Sequence, residues 1–181
     1  NPKKNRQNSD MEEDLEEKVV QILTQVASGT GSREEKKSVL AKLRDGSVQQ
    51  ICKCGERLIG LRRYDLAYQE VFYRYCDRAT QLRLEVERKD LGDTPSLKVS
   101  VLLRYLLGAS YALYLQTIHR DDAVLRSDTV DVLRDALKDV LHVVEIFSAQ
   151  SEAIREELYW CLYNSSLLAV RMCRWLRLHG F

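Results

Sequence analysis

The sequence predicts an all-α protein, an irregular array of helical hairpins, with an irregular helical bundle as the alternative. Apolar residues recur at spacings of three and four through one segment after another of the 181 residues. Only 2 prolines and 8 glycines interrupt the chain, and most fall between those segments. At 45% hydrophobic and 30% charged, the composition is that of a globular domain, and a chain of this length buries about 70% of its unfolded surface.

Asn1–Asp10 is polar, lacks hydrophobic anchors and reads as a flexible lead-in, which leaves residues 11–181 as a single helical domain. Met11–Ala27 opens on acidic residues, which suit a helix N-terminus, and then carries Leu15, Val19, Ile22, Leu23 and Val26 as one stripe. Ser-Gly-Thr-Gly-Ser at 28–32 breaks it. Ser32 is placed to cap the next helix, with Glu35 completing a capping box. Arg33–Arg44 presents Val39, Leu40 and Leu43, and Asp45-Gly46-Ser47 stops it and caps its successor.

Two stripes then meet at the basic joint Leu61-Arg62-Arg63-Tyr64. Ile51, Cys54, Gly55, Leu58 and Ile59 form the first, and Tyr64, Ala67, Val71, Phe72 and Tyr75 the second, which continues as one helix through Val86. Residues 88–96 form an internal joint, where charge gives way to Leu-Gly-Asp-Thr-Pro-Ser and Pro95 suits the first turn of a helix. Leu97–Thr117 is apolar on more than one face and too long for a strand, so a buried central helix follows, with Gly108 permitting a close approach. Ile118–Ser127 is a polar connection with a brief turn at Ala123–Leu125. Asp128–Phe147 and Glu152–His179 are the last amphipathic helices, the latter terminated by Gly180.

The charge balance, 28 basic against 27 acidic residues, gives no general reason to expect nucleic acid or an anionic membrane. Apolar runs are broken well before the roughly 20 residues needed to span a bilayer, so no membrane insertion is expected. The 5 cysteines lie within apolar helical patterns, which points to a reduced, intracellular and cytoplasmic setting. A start at Asn1 rather than Met suits a piece of a longer protein.

No residue pattern specifies catalysis, a cofactor or a metal. Cys52-Lys53-Cys54 has one intervening residue and no companion pair for zinc. His119 with Asp121 and Asp122 invites an acid–base reading, but no nucleophile accompanies them, and a polar turn is the simpler use. His142 and His179 sit in helical patterns without a ligand motif. Glu156 and Glu157 are adjacent, so their side chains diverge. The 28–32 joint lacks the lysine of a phosphate-binding loop.

Ile51, Cys54, Gly55, Leu58, Leu61, Tyr64, Ala67 and Val71 resemble a tetratricopeptide repeat, with Gly55 and Ala67 at the small positions and Tyr64 at the aromatic one. Arg62 stands where glycine is usual at the turn, and Arg74 where a small apolar residue is usual. Leu107, Gly108 and Tyr111 are similar to the first half of a degenerate second repeat. A narrower resemblance lies in Leu158–Ser166 followed by Cys173-Arg174-Trp175-Leu176. It is similar to a segment of large helical-repeat proteins of the central apparatus of cilia and flagella, with Ser165 in place of the usual glycine.

Those resemblances imply a noncatalytic protein–protein interaction scaffold, structural in the axoneme of a cilium or flagellum. Its partners would be other axonemal proteins or adjoining repeats of the same parent chain. Candidate contacts are Tyr159, Trp160, Tyr163, Arg171, Arg174 and Trp175, because aromatic and arginine side chains make effective interface anchors, with Arg62 and Arg63 as a second patch. The alternative is an RNA-associated helical binding domain using Arg62, Arg63, Arg171, Arg174 and Arg177.

Overall fold

Serine hydroxyls start the early helices of the array. Ser32 accepts from the Glu34 N–H and opens α2 (Arg33–Asp45). Ser47 accepts from Gln50 N at 3.2 Å while the Gln50 side chain accepts from Ser47 N at 2.9 Å, opening α3 (Val48–Gly60). The reciprocal box therefore falls at Ser47, and Ser32 caps alone, its bond going to the residue before Glu35. The computed structural model describes residues 2–119 and 127–178, with side chains from residue 14 in the first stretch and from 129 in the second. Helix α1 runs Pro2–Ala27, so helical backbone covers the segment read as a lead-in. Proline suits that first turn, where an N–H would have no intrahelical partner.

Arg62 turns the chain after α3 at φ 57°. This is left-handed backbone, which explains why glycine is the easier residue at such a turn. The second arm is not the uniform helix expected. It widens into a π-helical segment, Leu66–Phe72, tightens through a 3-10 turn, Tyr73–Tyr75, and only then becomes α4 (Cys76–Glu87). Changing the residues per turn resets which side chains face inward. Here it accompanies the burial of the Phe72 ring between two glycines. A Cβ on Gly108 would lie 2.8 Å from the tip of that ring, and one on Gly55 closer still. Tyr105 meets Phe72 edge-on at 5.4 Å and donates its hydroxyl to the Phe72 carbonyl. The Tyr75 hydroxyl donates to Leu40 O at 2.6 Å, and burial raises that phenol to about 12.

Pro95 opens α5 (Pro95–Ile118) as expected, and α6 (Ser127–Ser148) follows. The final helix is broken in two, α7 (Glu152–Glu157) and α8 (Tyr159–Leu178), because Leu158 leaves helical geometry and buries its side chain in the core. Among the described residues there are eight α-helices and no strand. Asp121, Asp122, the Ala123–Leu125 turn, His179 and Gly180 lie outside the described residues.

Cross-contacts give the topology. Cys52 lies against Val101 and Glu56 against Arg104, so α3 and α5 run parallel. Ser96 bonds Glu157 and Tyr114 faces Arg171, so α8 runs parallel to α5. Glu16 pairs with Lys53 at 3.1 Å, bringing α1 beside α3. In the other layer, Tyr75 and Arg78 bond Leu40 O and Arg44 O, aligning α2 with the second arm, and Arg83 and Asp139 align α4 with α6. Successive helices thus alternate between a layer of α1, α3, α5 and α8 and a layer of α2, the second arm and α6. This is an irregular array of antiparallel hairpins.

Helix α5 is apolar all round because it serves two cores. Tyr105 and Ala112 join the first, built from α1, α2, α3 and the second arm. Val99, Leu102, Leu103, Leu107 and Tyr114 join the second, built with α6 and α8.

Candidate protein-interaction site

The spacing of α8 sorts its residues into three faces. Cys161, Ser165, Leu168 and Met172 recur at four, three and four and are buried. Trp160, Asn164, Leu167 and Arg171 repeat the same spacing one residue earlier and form a flank. Tyr159, Tyr163 and Val170 point outward, 66%, 68% and 64% exposed. Tyr159 rests edge-on against Phe147 at 6.2 Å, so it is propped by α6 rather than free to swing.

That flank forms one wall of a cleft of about 350 Å³ between α3, α5 and α8. Glu56 and Ile59 of α3 make the opposite wall. The floor is α5, where Leu107, Gly108 and Tyr111 are overhung by Arg104. Arg104 and Glu56 form a two-pronged pair, both bonds 2.5 Å, which ties α3 to α5 and occupies that carboxylate. The Glu56 carboxylate in turn holds the Arg104 guanidinium above its usual range. Arg171 is different: it pairs with no carboxylate among the described residues. Arg171 also acts on the Tyr114 phenol, whose pKa burial raises and the guanidinium partly lowers.

The six aromatic and arginine candidates are therefore divided. Trp160 and Arg171 come together in the cleft, Tyr159 and Tyr163 stand on the outer face, and Arg174 is exposed. Trp175 is half-buried and packs against the second core. Arg62 and Arg63 do not join them. They sit in the turn after α3, where Arg63 approaches Asp65 at 3.9 Å and the neighbouring Tyr64 stacks on His119 at 5.2 Å. Sequence reasoning missed Glu56, Arg104, Tyr111, Asn164 and Leu167. The spacing of Asn164 and Leu167 with Trp160 and Arg171 was a usable signal, but nothing local links α8 to residues of α3.

The chemically suggestive residues are dispersed. Cys52, Cys54 and Cys161 are buried free thiols, and burial pushes the first two up to about 12 and the third to about 11. Cys76 and Cys173 are exposed free thiols. Among the described residues no three His, Cys, Asp or Glu side chains are placed to hold a metal, and no helix is long and apolar enough to cross a membrane.

A second, broader groove of about 910 Å³ lies on the other layer, between α2 and the second arm. It gathers Arg33, Lys36, Lys37, Arg44 and Arg74 over an apolar base that includes Leu40 and Tyr75. Glu70 engages Lys36 at 2.9 Å and Arg74 at 2.8 Å, and Glu34 engages Lys37 at 3.2 Å.

No family model, curated protein or solved structure matches this chain.

Proposed function

We propose that this chain is a noncatalytic scaffold that holds a protein partner along α8, with the α3–α5–α8 cleft receiving the partner's anchoring side chains. The observation that carries the reading is the outer face of α8. Tyr163 and Val170 leave large apolar surfaces in water directly beside a cleft that already presents Trp160 and Arg171. Burying such surface is worth about 25 cal/mol per Å², and aromatic and arginine side chains are enriched among the residues that carry binding energy. The partner is an amphipathic helix carrying an acidic side chain opposite Arg171, because that cation pairs with no carboxylate among the described residues. The C-terminal resemblance supplies a setting, the axoneme, where the partner would be another structural protein or an adjoining repeat of the parent chain.

The test compares three immobilised forms of the purified chain in an extract of ciliated cells. They are the native sequence, Tyr163→Ser with Arg171→Glu, and Lys18→Ser with Gln21→Ser on α1. A reproducible set of proteins held by the first and third forms but lost from the second is the expected result. An identical set on all three rejects the α8 interface.

The basic groove favours a second reading, an RNA-associated domain. Three of its five cations already hold carboxylates, which weakens its attraction for phosphate and places this reading second. RNA retained by the purified chain with a steep loss on added salt would reverse that order.

A further inference from the structure

A third cavity, of about 230 Å³, opens on the second-arm side of α5 and is unlike the other two in chemistry. Its walls include Leu106 and Leu113 of α5, and the π-helical segment and the turn after it bring Tyr68 and Tyr73 to it, with ring centroids 6.0 Å apart. Asp139 of α6 supplies a carboxylate that makes no ion pair among the described residues. Ser110 is only 2% exposed, yet its Oγ has no hydrogen-bond partner among the described residues. A buried hydroxyl of that kind normally bonds a protein group, a water or a ligand. Arg83, which also lines the cavity, is engaged by Glu87 at 2.7 Å; it and His142 offset only part of the burial that raises the Asp139 carboxyl.

We infer that the cavity between the second arm, α5 and α6 is a binding site for a primary alkylammonium group, the chemistry of a lysine side chain or a small aliphatic amine. Each feature answers to one part of such a ligand. The leucine walls take the methylene stem. The two phenol rings lining the cavity supply aromatic surface that attracts positive charge, an interaction worth about 0.5–2 kcal/mol in general. The Asp139 carboxylate and the Ser110 hydroxyl accept from the ammonium, which has three donors and no acceptor. A carboxylic acid or phosphate would meet Asp139 with the wrong sign, and a purely apolar ligand would leave Ser110 unsatisfied.

The cavity belongs to a different face from the α8 cleft, so the two assignments stand or fall separately. The test is titration of the isotopically labelled native chain with n-butylammonium chloride, followed by backbone amide shifts. Sodium chloride and n-butanol serve as controls. Saturable shifts at Tyr68, Leu106, Ser110 and Asp139 with the ammonium alone are expected. Asp139→Asn, at an exposed position where folding is not at risk, should weaken binding about tenfold, the scale of one partly desolvated charge pair. Tyr68→Leu should weaken it as well. A parallel titration with a lysine-containing peptide separates the sources: tighter binding than butylammonium assigns the site to a protein's lysine, and equal or weaker binding assigns it to a free amine. Absence of saturable shifts in the native chain, or an Asp139→Asn protein that binds as the native chain does, overturns the inference.

Discussion

Helix α1 turns Glu17, Lys18 and Gln21 toward solvent, whereas α8, at the other edge of the same layer, turns out Tyr159, Tyr163 and Val170. Among the described residues no large exposed hydrophobic lies on α1 or α2, while α8 also contributes Trp160, Leu167 and Leu178. Stacked helical arrays need a polar outer face wherever stacking stops. The described residues of the α1 edge present one, and the α8 edge instead exposes aromatic and aliphatic side chains. The difference teaches where to look for a partner: changes at the closed parts of the array should cost folding, and changes at the open edge should cost binding.

The most severe break in that division of labour is Phe72→Ala. It empties the space between Gly55 and Gly108 and should lower stability by about 3–5 kcal/mol in urea unfolding. Next is Gly55→Ala, whose added methyl meets the Phe72 ring and should cost about 1–3 kcal/mol. Combining it with Phe72→Leu should give a total smaller than the sum of the two single changes if the ring is what the methyl strikes.

Alkaline titration sharpens the contrast between covered and open groups. Cys52 and Cys54 stay protonated in the fold to about 12, against 9.0 for an unperturbed thiol, so between those two values the folded state binds more protons than the unfolded chain. Stability should therefore be level below about pH 8.5, the unperturbed thiol range, and fall as pH climbs toward the folded value. Iodoacetamide at mildly alkaline pH should label Cys76 and Cys173 and spare Cys52, Cys54 and Cys161, as read by peptide mass spectrometry. Rapid labelling of Cys52 would mean that the α3–α5 contact opens readily.

The mildest change for folding is Tyr163→Ser with Val170→Ser. Stability should stay within about 0.5 kcal/mol of native, because both side chains are largely in water. Partner retention should nevertheless drop. If that pair proved as destabilising as Gly55→Ala, the outer face of α8 would be packed against something within the chain, and the contrast with α1 would collapse.

The helices were legible because their apolar spacing is local: Val39, Leu40 and Leu43 announce α2 as plainly as Val130, Leu133, Leu137 and Val140 announce α6. Gly108 was legible as a point of close approach, although not its visitor, Phe72, which comes from 36 residues earlier in the chain. The π-helical segment was invisible, since Leu66–Phe72 has ordinary helical spacing and its widening accompanies tertiary packing. The break at Leu158 was hidden for the same reason, as that side chain enters a core assembled from α5 and α6. At the candidate site, sequence pointed to Trp160 and Arg171 but could not separate them from Trp175, because residues on one helix look alike until the neighbours that cover them are known. The Glu56–Arg104 pair joins residues 48 apart and had no local signature at all.

Helix α5 has a consequence for how the molecule comes apart. Regular stacks of repeats hold each unit only to its neighbours and can unzip from an end. Here a single helix supplies Tyr105 to one core and Leu102 and Leu103 to the other. A chain severed in the turn at Gly92 would leave the first fragment without the phenol that bonds the Phe72 carbonyl, and the second with a bare apolar side on α5. Loss of either half removes a wall from the other, so melting is expected as one cooperative event, with no half-folded species surviving between the two cores.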